Sequence, residues 1–192
     1  MNTLKRSPTR GTLFLVTTLA LLLTAVSGCV SQRSSMEEIH VNALEASSPK
    51  GKTLVIVYSR NPELAAKLES EWAKQLSAKG YNVQAWHTVA PDEFSPEYKV
   101  IQSLVNDTGA TTILSSEILN RKKMEREYPS SQVAIIETNL FDAGSEKLLW
   151  STVFETFLLS PDGEKALTPS DTKIEEIISD QLVPMSHMGL VD

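Results

Sequence analysis

The chain has 192 residues, with 18 lysines and arginines against 24 aspartates and glutamates, a formal net charge of −6 and a single cysteine. That balance excludes nucleic acid or an anionic lipid surface as an electrostatic partner, and one cysteine excludes a disulfide within the chain. The length serves one domain with a real core but hardly two.

The first element is a targeting segment. Lys5, Arg6 and Arg10 make a basic start, Leu13 to Val26 is apolar, and the small residues Ser27 and Gly28 stand directly before Cys29. The run is too short and wrongly flanked for a membrane span, so residues 1–28 read as a lipoprotein signal peptide. The segment Leu23-Thr-Ala-Val-Ser-Gly-Cys29 resembles the lipobox of bacterial lipoproteins. That resemblance implies cleavage before Cys29 and acylation of its thiol with chains such as palmitate. One acyl chain holds a protein reversibly, at about 0.8 kcal/mol per buried methylene, and two or three hold it essentially for good. Val30 follows the cysteine instead of an inner-membrane retention aspartate, which by the same resemblance implies an outer-membrane anchor facing the periplasm. Processing leaves 15 basic against 24 acidic residues, a net charge near −9.

Residues 29–52 read as the lipidated cysteine and a flexible tether, rich in Ser and Glu and closed by Pro49 and Gly51. Within it, Ile39 to Leu44 has enough apolar character to add an edge strand, but reads as linker. A single α/β domain is expected over 53–192. It opens with Thr53 to Tyr58, a continuous β-branched and apolar run of the kind buried on both faces of a sheet. Asn61 and Pro62 signal a helix start, Leu64, Leu68, Trp72 and Leu76 form its inner face, and Gly80 its stop. Tyr81 to His87 reads as the second strand. Ser95-Pro96-Glu97 starts a second helix with Val100, Ile101, Leu104 and Val105 inward, ended by Gly109, and Ala110 to Ser115 is a third strand that extends at most to Leu119. Asn120 to Ser131 reads as an exposed loop. Gln132 to Phe141 and Lys147 to Leu159 are strand-like runs around Asp142-Ala-Gly-Ser-Glu146, the signature of a β-hairpin. A last helix follows Thr168-Pro169-Ser170-Asp171, presents Ile174, Ile177, Ile178 and Leu182, and is stopped by Pro184. The order βαβαβ-hairpin-α predicts a mixed five-stranded sheet with helices packed on its faces, strand order 2-1-3-4-5 and the hairpin at one side.

Chemistry-bearing motifs are absent from this pattern. Gly51-Lys52-Thr53 is only the tail of a phosphate loop and precedes a strand, and the turn after Tyr58 lacks the glycines a dinucleotide needs. Ser47-Ser-Pro-Lys50 and Ser170-Asp-Thr-Lys173 match Ser-x-x-Lys, one in the tether and one at a helix cap. His40, His87 and His187 are scattered without ligand spacing, and Glu37-Glu38 and Glu175-Glu176 read as solvated charges. No catalytic residue, metal or cofactor is therefore expected. Trp72 reads as core; Trp150 lies in the hairpin, where alternate positions cover either face of the sheet, and is open to core or interface, and Trp86 at a strand end is open to either packing or contact.

The lipobox, the element order and the phrase Glu137-Thr-Asn-Leu-Phe-Asp-Ala-Gly-Ser-Glu-Lys-Leu-Leu-Trp-Ser151 together resemble a group of small, largely uncharacterised bacterial outer-membrane lipoproteins. More distantly, the domain is similar to the periplasmic domain of the curli-secretion lipoproteins and to the amino-terminal domain of the Tol-Pal propeller protein. The resemblance implies a non-catalytic binding or assembly accessory in envelope biogenesis or transport, with an envelope protein or a second copy as partner. The hairpin from Gln132 to Leu159, as a sheet edge, is the expected contact surface. The alternative is a ligand-binding or sensing lipoprotein with a pocket at the strand carboxyl ends, near Ser59, Trp86 and Ser115.

Overall fold

A computed structural model describes residues 35–41, 51–93, 97–123, 132–158 and 169–191. Contacts divide the chain into Met1–Gln32 and Arg33–Asp192, and the whole sheet belongs to the second unit. The elements are β1 (Ser35–Val41), β2 (Lys52–Tyr58), α1 (Pro62–Ala78), β3 (Asn82–Ala85), a single turn α2 (Trp86–Val89), α3 (Tyr98–Thr108), β4 (Ala110–Lys123), β5 (Gln132–Asp142), β6 (Leu148–Leu158) and α4 (Asp171–His187).

The strands form one mixed sheet in the order β1-β6-β5-β4-β2-β3. β2 runs parallel to β3 and β4, and β5 and β6 complete an antiparallel meander. The five expected strands are thus present in the expected order, and a sixth is added: Ser35–Val41, placed in the tether by its composition, pairs antiparallel with β6. This corrects two expectations. The segment from 35 to 41 is not linker, and the hairpin is not a sheet edge, because β1 takes up the outer side of β6.

β2 lies where its composition requires, with Thr53 to Val57 all buried. Val55 and Val57 face α1 and α4, while Leu54 and Ile56 face the opposite way towards Trp86 and α3. The first layer contains Leu64, Leu68, Trp72 and Leu76 of α1 and Ile174, Ile177, Ile178 and Leu182 of α4. The second contains Val100, Ile101, Leu104 and Val105 of α3. Each helix starts or stops on the residue its chemistry suits. Asn61 Oδ1 accepts from the N–H groups of Glu63 and Leu64 at 3.1 and 3.3 Å, ahead of Pro62. Ser170 Oγ accepts from Lys173 N at 3.2 Å, and Gly109 closes α3 at φ +68°, in the left-handed region.

Three boundaries differ from expectation. β4 runs on to Lys123 because Asn120 to Lys123 find partners in Gln132 to Ile135 of β5, so part of the expected loop is sheet. β3 stops at Ala85, and α4 continues through Pro184 to His187. A proline so close to the end of a helix forfeits one hydrogen bond, and burial of Met185, Leu190 and Val191 holds the last turn in place, with Leu190 N donating back to Met185 O at 2.9 Å.

Two sets of polar side chains bond to one another across this apolar interior. Thr53 and Thr112 share a hydroxyl–hydroxyl hydrogen bond of 2.7 Å between β2 and β4. Ser116, Thr138 and Gln181 form a chain from β4 through β5 to α4, fixing the last helix to the sheet.

Candidate functional site

Glu69 is the least expected member of the core. It lies on α1 beside Leu68 and is only 2% exposed. A buried carboxylate is costly unless hydrogen-bonded, and here three donors converge on it. Val57 N donates to Oε1 at 3.0 Å, while His87 N and His87 Nδ1 lie 2.8 and 2.7 Å from Oε2. One side chain thereby ties the end of β2 and the start of α2 to α1. This accounts for the early end of β3: the His87 amide is taken by Glu69 instead of a neighbouring strand, and the chain turns into α2, with Thr88 Oγ1 donating to Ala85 O at 2.6 Å.

With Nδ1 of the ring held against Glu69 Oε2, the other ring nitrogen faces α1. There Nε2 lies 3.3 Å from Ser70 Oγ. Glutamate, imidazole and hydroxyl stand in the order of a hydrolase relay, but the surroundings of Ser70 do not suit a nucleophile. Its hydroxyl donates to Ala66 O at 2.7 Å. It lies mid-helix, where neighbouring amides are committed to intrahelical bonds and none is left to stabilise an oxyanion.

Ser70 and His87 mark one end of a shallow groove of about 690 Å³ between α1 and β3. The α1 wall is Ser70, Ala73, Lys74 and Ser77, and the floor is Asn82 to Ala85 with Lys52. Positions i, i+3, i+4 and i+7 of a helix share one face, and three of these four are small, which leaves the groove open. Lys52 Nζ donates to Gln84 Oε1 at 3.4 Å across β2 and β3. Lys74, 64% exposed, pairs with Glu71 at 3.1 Å, which raises its pKa. β3 is the last strand of the sheet on this side.

The residues singled out in the sequence lie elsewhere. Ser59 Oγ accepts from Asn61 N at 3.1 Å at the head of α1. Trp86 is 3% exposed, and its indole N–H donates to Glu93 O at 2.7 Å. Ser115 lies half-buried on β4, opposite Ile56 and Asn139. None of the three lines the groove, and Cys29 falls outside the described residues. Sequence reasoning missed Glu69, although a signal was there: its neighbours three and four positions away are Ala65, Ala66, Trp72 and Ala73, with no basic partner among them. Among the described residues no helix is long and apolar enough to cross a membrane, and no group of three or more His, Cys, Asp or Glu could hold a metal.

No family model and no curated protein matches the chain. Solved structures do. A point variant of the PelC dodecamer from Paraburkholderia phytofirmans is similar at a TM-score of 0.51 and 16% identity, over 79% of this chain and 97% of that one. The PelC dodecamer from the same organism in a second crystal form gives 0.50 and 16%, over 80% and 97%. Lipoprotein GNA1162 from Neisseria meningitidis gives 0.48 and 14%, over 72% and 99%. At such identities the likeness is one of fold.

Proposed function

We propose that this protein is a lipid-anchored accessory of the bacterial envelope, held at the outer membrane through Cys29, facing the periplasm and acting by protein contact without catalysis. The observation that carries this reading is the open sheet. Among the described residues it ends in β3 on one side and β1 on the other, and strand edges are ready-made templates for another chain. Among the described residues the buried carboxylate of Glu69, beside an imidazole, is spent on holding backbone, which fits a scaffold better than an enzyme. The shared fold with PelC, which forms a dodecamer, agrees with assembly as the mode of action. Envelope biogenesis or transport is the setting in which an anchored, acidic, assembling protein of this kind would serve.

The test is amine crosslinking of the full chain in its own membranes, followed by identification of what is joined. Multimers of the chain, or one reproducible envelope partner, are expected. A chain that remains alone, or turnover of an ester or amide substrate that is lost in Ser70→Ala, would overturn the reading.

A further inference from the structure

Among the described residues the two ends of the sheet, β1 and β3, suit each other. β3 runs in the direction of β2 and β4, and two antiparallel steps bring β6 back to that same direction. β1, antiparallel to β6, therefore runs opposite to β3. A second copy rotated about an axis along the strands keeps every strand direction, so its β1 arrives antiparallel to β3, the pairing that needs no crossover. We propose that β1 of one copy adds to β3 of the next along the α1 groove, continuing the sheet from copy to copy in a head-to-tail ring or filament. This rests on the assembly reading above and names its surface.

The occupant is argued from charge and space. An acidic chain near −9 after processing repels its own copies, so self-pairing needs a local reversal of sign. The groove supplies it through Lys52, whose Nζ among the described residues meets only the neutral Gln84 amide, whereas Lys74 on the wall is shared with Glu71; β1 carries Glu37 and Glu38 in sequence. The small residues Ser70, Ala73 and Ser77 leave about 690 Å³ beside the last strand, room for side chains of an added strand. His87, fixed by Glu69, stands at the far end with Nε2 beside Ser70 Oγ. The interface is heterologous, since two different surfaces meet, so repetition closes into a ring or runs on as a filament. A pairing over the four residues of β3 is weak by itself. Anchoring copies in one membrane raises their effective concentration and makes a weak contact sufficient.

The test uses the full chain in its own membranes, with Gln84→Cys on β3 and Glu38→Cys on β1 joined by a short bis-maleimide. The double variant is expected to give a ladder beyond dimers, which neither single variant nor the parent gives. In parallel, Lys52→Glu with Lys74→Glu, or Glu37→Lys with Glu38→Lys, should weaken assembly about tenfold each, and the four together should restore it. Restoration separates a pairing from a loss of fold. Dimers alone would mean an isologous contact and overturn the proposal. Amine-crosslinked multimers that ignore all these variants would overturn it too but leave the assembly reading standing. If the ladder is replaced by one heterologous adduct at Gln84→Cys, the edge belongs to another protein and self-pairing is wrong. Absence of any multimer or adduct removes both readings.

Discussion

At the scale of single residues, burial and hydrogen bonding separate what the sequence displays from what it hides. Trp150 is fully buried on β6, which decides for the core where its alternating run left either face open. Trp150→Ala should cost about 3–5 kcal/mol by leaving a cavity, read as a shift in the urea midpoint. Its indole N–H has no hydrogen-bond partner among the described residues, so Trp150→Phe should cost much less. Glu69 is the opposite case. Its neighbours betray burial, but the donors that stabilise it come from β2 and from α2, 12 and 18 positions away, and no local pattern shows such a convergence. Glu69→Ala should leave buried N–H groups of Val57 and His87 unpaired, at about 1–3 kcal/mol each. Glu69→Gln, which keeps acceptor capacity but offers an N–H where a donor already points, should fall between. Denaturant unfolding of the two variants against the parent checks this order.

At the scale of elements, periodicity was legible and partnership was not. The faces of α1, α3 and α4 and the double burial of β2 follow from apolar spacing, because burial is what that spacing encodes. β1 has no such signature, and it becomes a strand only because β6 offers an unpaired edge. The extension of β4 to Lys123 has the same origin in β5. Pro184 misled for a related reason: the local cost of a proline is real, but Met185, Leu190 and Val191 outweigh it by burial. The cap of α1 is testable alone, since Asn61→Ala should cost about 1 kcal/mol, measured by thermal unfolding. The β5–β6 turn adds a pH dependence. The Ser145 hydroxyl and backbone N–H donate to Asp142 and hold its carboxyl below the ordinary range. A depressed folded pKa means that stability is present above the unfolded value and lost as pH falls through the folded one. Asp142→Asn should therefore flatten the acid limb of the unfolding midpoint plotted against pH, while leaving its shape above neutrality unchanged.

At the scale of the whole molecule, the lipobox-like segment and the fold carry the functional reading together, and only the fold has a structural counterpart. Cys29 precedes the first residue of β1 by six positions. Cys29→Ala should abolish labelling with fatty acid and leave the protein in an unprocessed form, visible as a heavier band. Labelling that persists would remove the anchor from the account. The candidate groove could not be foreseen, because it lies between an edge strand and a helix whose small residues read simply as its outer side.

One further consequence follows from the unequal lengths of the strands. β2 accompanies β4 only as far as Glu117, while β4 continues to Lys123 against β5. From Ile118 onward the β2 side of β4 has no strand partner among the described residues. Such a ledge invites irreversible clumping, and its sequence there is Asn120-Arg-Lys-Lys123. Charge on an exposed edge, lysine above all, is a gatekeeper against indiscriminate sticking. Replacing Arg121, Lys122 and Lys123 with threonine should hardly alter the unfolding midpoint, yet bring turbidity at temperatures well below it.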